Sequence, residues 1–305
     1  MTMWTTVASG LRFPEGPVAM ADGSVVLVEI AAGRITRVSL DGSTDVVAEP
    51  GGGPNGLAMG PDGKLYCCNN GGFNWHEAGG FLAPHGQADD YSGGRIERID
   101  PIRGTVEVLY ADGDFGCRLR GPNDIVFDAH GGFWFTDHGR TRVRERDVTG
   151  VFYATADGTG CREVIFPLEN PNGIGLSPDG NTLYVSETFT RSLWAFDIVG
   201  PGQVAGGGPS GGSGGRFLYA PGGYAFFDSL GVEESGNICV ATLGSGSITV
   251  ISPAGELVET VATDDPYTTN ICWGGTDHRT AFVTLSATGK LANARWERPG
   301  LRLAF

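Results

Sequence analysis

The chain has 305 residues, 40% hydrophobic and 18% charged, with 51 Gly and 17 Pro, which supplies a core and excludes a disordered or collagen-like polymer. Its 21 basic residues against 35 acidic ones leave a net charge of −14, so phosphate backbones and anionic bilayers are repelled, and neither nucleic acid nor a membrane is expected as a partner. No window approaches the ~20 apolar residues of a membrane span, and the opening MTMWTTVASG has no basic segment followed by an apolar run; a soluble cytoplasmic protein is expected.

In chain order, WTTVAS comes first, a strand with no partner in its own unit. One plan then recurs six times: a polar residue, a short apolar run, a turn and a second apolar run. The segments are FPEGPVAMADGSVVLVE, GPNGLAMGPDGKLYCCN, GPNDIVFDAHGGFWFTD, NPNGIGLSPDGNTLYVSE, FFDSLGVEESGNICVAT and TTNICWGGTDHRTAFVT. Each reads as a β-hairpin. Each is followed by a second alternating unit, such as GRITRVSLDGSTDVVAE after the first, GRIERIDPIRGTVEVLY after the second and GKLANARWERPGLRLAF after the last, supplying strands three and four of an antiparallel sheet. Amphipathic helical stretches of the kind a parallel α/β sheet needs are missing. The expectation is all-β: one six-bladed β-propeller domain over residues 1–305, with the opening strand completing the last blade.

The Gly-rich run from Gly206 to Gly215 reads as a flexible excursion between strands three and four of the fourth blade, on the face away from the site. Cys67, Cys68, Cys117, Cys161, Cys239 and Cys272 show no CxxC spacing and read as reduced, structural thiols.

In a propeller the first strand of each blade lines the channel, and the start of strand one and the end of strand two share one face. The residues just ahead of the six inner strands are Glu15, Asn55, Asn123, Asn172, Asp228 and Asn270, all carboxylates or carboxamides. Asx residues favour turns, which explains any one of them alone. Recurrence in all six units points instead to a ring of oxygens aimed at one hard divalent cation. The ends of the second strands place Glu29, Asn70, Asp137, Glu187, Thr242 and Ser286 near the same mouth, with Asp137 and Glu187 favoured for contact with the ion's surroundings or the substrate. His138, directly after a second strand, is a candidate proton carrier. The segment Asn69 to Gly94, with Phe73, Trp75, His76, Phe81, His85 and Tyr91, reads as a lid or pocket wall, which puts Trp75 against substrate.

Two short matches carry no chemistry. GGGPNG at residues 51–56 has no helix after it and no βαβ unit around it. Ser210 and Ser213 sit in formal GxSxG patterns produced by a Gly-rich linker, without a strand-to-helix elbow. The five histidines lack zinc spacing.

The motifs FPEGP, GPNDIVFD with FWFTD, and PNGIGLSPDG with LYVSET resemble those of the gluconolactonase and regucalcin (senescence marker protein) family of six-bladed propellers, and more distantly paraoxonases and diisopropyl fluorophosphatase. The likeness is nearest to the bacterial gluconolactonase-like branch. It implies a metal held by Glu15, Asn172 and Asp228 with Asn123 assisting, and hydrolysis of a lactone. Asn123, Asn55, Asn270, Glu187, His138 and Trp75 are then expected to face the substrate, Asp228 to take the proton from water, and Asp124, beneath the site, to be its alternative. The family's arginine two residues before Asn123 is Gly121 here. Oxygen-only ligands accept Ca²⁺, Mg²⁺, Mn²⁺ and less readily Zn²⁺ or Fe²⁺; the amide-rich set favours Ca²⁺. The alternatives are an esterase or organophosphate hydrolase using the same site, and a non-catalytic binding propeller with a structural cation.

Overall fold

The second strands of the repeats are apolar on both faces, as in VVLVE at Val25–Glu29 and LYCCN at Leu65–Asn69. Successive side chains of a strand point to opposite sides, so such a strand needs an apolar neighbour on each. The computed structural model, which describes residues 3–206 and 213–305, supplies both. Val26 and Val28 pack with Leu57, Leu65 and Cys67 of the next repeat, while Val25 and Leu27 pack with Phe282 and Leu291 of the last. In the same way Tyr66 and Cys68 meet Phe127, Phe133 and Phe135. The core is thus divided into six clusters among the described residues, each wedged between two adjacent sheets.

Six antiparallel sheets form a six-bladed β-propeller. Their inner strands are Pro14–Ala19, Pro54–Met59, Pro122–Phe127, Pro171–Leu176, Phe226–Val232 and Thr268–Gly274. Each touches the next, and the last touches the first, which closes the ring. The opening strand Thr5–Ser9 pairs antiparallel with Lys290–Arg295, Thr5 opposite Asn293, and forms the outer edge of the sixth blade.

That pairing corrects one expectation. The closing unit GKLANARWERPGLRLAF supplies one strand, Lys290–Arg295, and not two, because the outer edge is already occupied by Thr5–Ser9. The remaining tail crosses the far end of the channel: Leu301 N–H donates to Val232 O at 2.8 Å, and Phe305 sets its ring edge against Phe127 with centroids 5.8 Å apart. The long segment of the second blade holds a two-stranded hairpin, Phe73–Ala78 with Phe81–Gln87. Residues 207–212, with Ser210 and most of the Gly-rich run, lie outside the described residues. All six cysteines are free thiols, five of them buried. Among the described residues no helix is long and apolar enough to cross a membrane.

Candidate functional site

Three of the six polar residues at the mouth are followed by glycine, in Glu15-Gly16, Asn55-Gly56 and Asn172-Gly173, and the packing gives the reason. Inner strands crowd together near the axis, where a side chain on the neighbouring position has no room. A Cβ on Gly16 would lie 2.5 Å from Asn55 O, and one on Gly173 2.6 Å from Leu230 N; on Gly56 it would collide with Asn123 O. The absent side chains let adjacent strands close up, and the polar residues arrive at one mouth. Asn270 Nδ2 donates to Glu15 Oε2 at 2.8 Å across the first and sixth blades. Thr136 Oγ1 donates to Asn172 O at 2.5 Å and accepts from Asp124 N at 3.1 Å, joining the third blade to the fourth. Ser186 Oγ accepts from Gly173 N at 2.8 Å and donates to Asp228 O at 2.6 Å, joining the fourth to the fifth.

Glu15, Asn55, Asn123, Asp124, Asn172 and Asn270 are buried, and Asp228 is half-buried. Burial raises the Glu15 carboxyl above its ordinary range against hydrogen bonds from Asn270 and the Gly16 N–H. Burial and the charge of Glu15 push Asp124 up to about 8 and Asp228 well above the usual carboxylate value. Three carboxyls therefore repel one another within one desolvated space. Glu15 Oε1 is buried and has no hydrogen-bond partner. Asn172 Oδ1 receives a long 3.4 Å contact from Ser229 Oγ, while its Nδ2 donates to Thr188 Oγ1 at 3.0 Å, which leaves the amide oxygen with a single weak partner. An orphaned carboxylate oxygen among crowded carboxyls and an amide oxygen suits a hard divalent cation. Among the described residues no three His, Cys, Asp or Glu side chains are placed to hold a metal by themselves, so an ion here depends on amide oxygens alongside carboxylates.

The residues at the ends of the second strands do something the sequence does not announce. Each of four blades uses one of them to hold the connection that leads into the inner strand. Glu29 Oε2 accepts the Arg12 N–H at 2.8 Å, and Asn69 Oδ1 accepts that of Gly53 at 2.9 Å. Asp137 accepts from Arg120 N at 2.6 Å and Gly121 N at 2.7 Å. Glu187 accepts from Glu169 N at 2.5 Å, and its other oxygen takes Thr190 Oγ1 at 2.7 Å and Trp194 Nε1 at 2.8 Å. The braced amides lie two or three residues before Glu15, Asn55, Asn123 and Asn172. In the second blade the brace is Asn69, one residue before the Asn70 singled out from the sequence. Asn270 is likewise committed, since its Oδ1 accepts the Ile271 N–H at 2.8 Å while its Nδ2 serves Glu15.

The rim is built by the hairpin and by the connection after the third blade's second strand. Trp75 packs on Phe13 with centroids 5.1 Å apart. The hairpin then reaches the sixth blade through Leu82 N to Ala287 O at 2.9 Å, and the third through Gln87 N to Thr141 O at 3.1 Å. His138 lies beside Phe189, centroids 6.2 Å apart, with Nδ1 buried and unpartnered; burial and the Arg140 charge hold it down at about 4. Sequence reasoning passed over Arg140. It is buried, donates to Asn70 O at 3.0 Å and to Gly72 O, and lies 4.3 Å from the Phe73 ring centroid. The available signal was four arginines in HGRTRVRERD, directly after a second strand. Below the ring, a channel of about 360 Å³ runs from Asp124 and Asn270 down to Leu301 and Phe305 of the tail.

A family model described as the SMP-30/Gluconolactonase/LRE-like region matches residues 13–287. A gluconolactonase of Zymomonas mobilis is 26% identical over 92% of this chain and 78% of that protein. Lactonase drp35 of Staphylococcus saprophyticus is 28% identical over 84% of this chain and 72% of its own length. The solved structure of XC5397, a gluconolactonase from Xanthomonas campestris, superposes with a TM-score of 0.75 at 23% identity, covering 98% of this chain and 90% of that one, a likeness of fold.

Proposed function

The chain belongs to the SMP-30/gluconolactonase/LRE-like family, and from that premise we propose that it is a hydrolase that opens a lactone to its hydroxy acid with the help of one divalent cation at the channel mouth. The relatives named gluconolactonase and lactonase support the reaction class. The observation that carries the cation is the buried, unpartnered Oε1 of Glu15 facing the crowded carboxyls of Asp124 and Asp228. Glu15, Asn172 and Asp228 would hold the ion with Asn123 beside them, and the mixed carboxylate and amide set favours Ca²⁺. A cation there supplies polarisation of the lactone carbonyl and acidification of water in contact with it.

The chain's own residues do the rest. Asp228, the least buried of the three acids, takes the proton from the attacking water on a carboxylate oxygen and returns it to the leaving alkoxide. Asp124, whose oxygen accepts the Ile125 N–H at 2.9 Å, lies on the channel side and is the alternative acceptor. Asn123 and Asn55 make no side-chain hydrogen bond among the described residues, so their amides are available to orient substrate oxygens, and Trp75 and His138 belong to the rim that would cover the site.

The deciding experiment is acid release from a panel of sugar and aromatic lactones by the enzyme before chelation, after EDTA and after reloading with Ca²⁺. Activity should vanish with EDTA and return with the ion. Asp228→Ala should lose at least about a hundredfold in kcat, the scale of a missing general base, with its β-sheet circular dichroism intact. A chelator-insensitive lactonase, or full turnover by Asp228→Ala, would refute the assignment.

A further inference from the structure

Six of the 21 basic residues, Arg118, Arg120, Arg140, Arg142, Arg144 and Arg146, lie on the two connections flanking the inner pair of strands in the third blade, Pro122–Phe127 and Gly132–Asp137. Both connections open on the mouth. A protein of net charge −14 thus gathers positive charge on one arc of the rim that leads to the candidate ion site. Part of this charge is spent locally. Arg120 pairs with Asp112 at 3.2 Å, Arg142 with Asp147 at 2.6 Å, and Arg140 is buried on backbone carbonyls.

Among the described residues Arg118, Arg144 and Arg146 have no carboxylate within ion-pair distance, and all three are exposed; of these, Arg146 is the one whose guanidinium has side-chain partners. Its Nη1 donates to Asn170 Oδ1 at 3.0 Å, and its guanidinium lies 4.7 Å from the centroid of Phe189, itself 47% exposed. Asn170 is fully buried and donates from Nδ2 to His138 O at 2.8 Å; its carbonyl accepts the Thr188 N–H at 3.1 Å. Thr188 in turn accepts from Asn172 Nδ2 at 3.0 Å. Arg146 and Phe189 are therefore fastened to the segment that presents a candidate cation ligand. A guanidinium fixed by an aromatic face and one hydrogen bond, with its remaining N–H groups open, is preorganised to receive a carboxylate through two parallel bonds.

We propose that Arg146, stacked on Phe189, is a specificity-determining receptor for an anionic substituent, and that the substrate is a lactone carrying a carboxylate. The proposal rests on the lactonase reading above. The surrounding arginines draw such a substrate toward the mouth, a long-range attraction that salt weakens.

The test uses two lactones with the same ring, glucono-1,4-lactone and glucaro-1,4-lactone, which differ in a hydroxymethyl against a carboxylate. The wild-type enzyme should favour the carboxylated lactone by about tenfold or more in kcat/KM, the scale of one charged hydrogen-bonded pair, and added salt should erode that preference. Arg146→Gln should raise KM for the carboxylated lactone by about tenfold and leave the neutral one unchanged. Arg103→Gln is the control: it makes the same charge change at an exposed turn between strands three and four of the second blade, on the opposite face, and should keep the preference. Equal use of the two lactones by the wild type, or an equal loss for both in Arg146→Gln, would overturn the proposal. Should neither lactone be opened, the lactonase reading fails by itself, and calorimetry with open-chain glucarate against gluconate decides the receptor. Glucarate binding weakened by about tenfold in Arg146→Gln, with gluconate unchanged, supports it; unchanged glucarate binding overturns it.

Discussion

At the scale of single residues, the mouth depends as much on what is missing as on what is present. Gly173 follows Asn172, and a methyl group there would meet Leu230 N at 2.6 Å and Ser229 C at 2.7 Å, both backbone atoms that cannot swing aside. Gly173→Ala should therefore cost roughly 1–3 kcal/mol, the usual range for overpacking, and should weaken ion binding because the strand carrying Asn172 is pushed off its neighbour. Urea unfolding and a calorimetric Ca²⁺ titration measure the two effects separately. The glycine is plain in the sequence as the second half of an Asn-Gly pair. Such a pair also reads as a tight turn, and only the approach of the fifth blade shows that the constraint is steric.

Among the strands and connections, the braces at the ends of the second strands hold the site in register. Glu29 is the clearest case for measurement. Burial alone would raise its carboxyl, but hydrogen bonds from Arg34, Thr36 and the Arg12 N–H outweigh burial and hold it below the ordinary value. Its folded form binds a proton more weakly than the unfolded chain does, so its contribution is complete above the unfolded value of about 4.3 and is lost as pH falls through the folded one. Glu29→Gln should then be less stable than wild type by roughly 1.5–3 kcal/mol at pH 7, and the gap should shrink steadily below pH 5. Urea unfolding across that range provides the check; a gap independent of pH would remove the carboxylate from the account. The hairpin Phe73–Ala78 with Phe81–Gln87 belongs to the same scale. Its aromatics mark a wall over the mouth, and its pairing turns on Gly79-Gly80, a two-residue hairpin signal present in the sequence; its anchoring to the sixth and third blades is set by the fold, because those blades are distant in sequence.

For the whole molecule, the ring is closed by noncovalent pairing of Thr5–Ser9 with Lys290–Arg295. Removing residues 1–10 uncovers an edge of the sixth blade and should lower the thermal midpoint by roughly 10 °C, the scale of a few kcal/mol in a chain of this size, with a melt followed by circular dichroism as the readout. The sequence by itself determined the fold class, the number of blades, the closing strand and the polar residue that each repeat carries near the start of its inner strand, although each strand begins one or two residues before that residue rather than just after it, so that the polar residue stands second or third within its strand. Those features rest on local rules repeated six times: alternation of side chains, turn residues, and the order of strands within a blade. Tertiary structure alone decided which polar groups are spent and which stay open. It turned the Asn270 amide onto Glu15, engaged Glu187 with Trp194 and Glu169, laid the tail across the far end of the channel and, among the described residues, left Arg146 without an acid. The reason is physical: a side chain's hydrogen-bond partner and exposure are set by the neighbours packed against it, and in a closed ring those neighbours come from other blades.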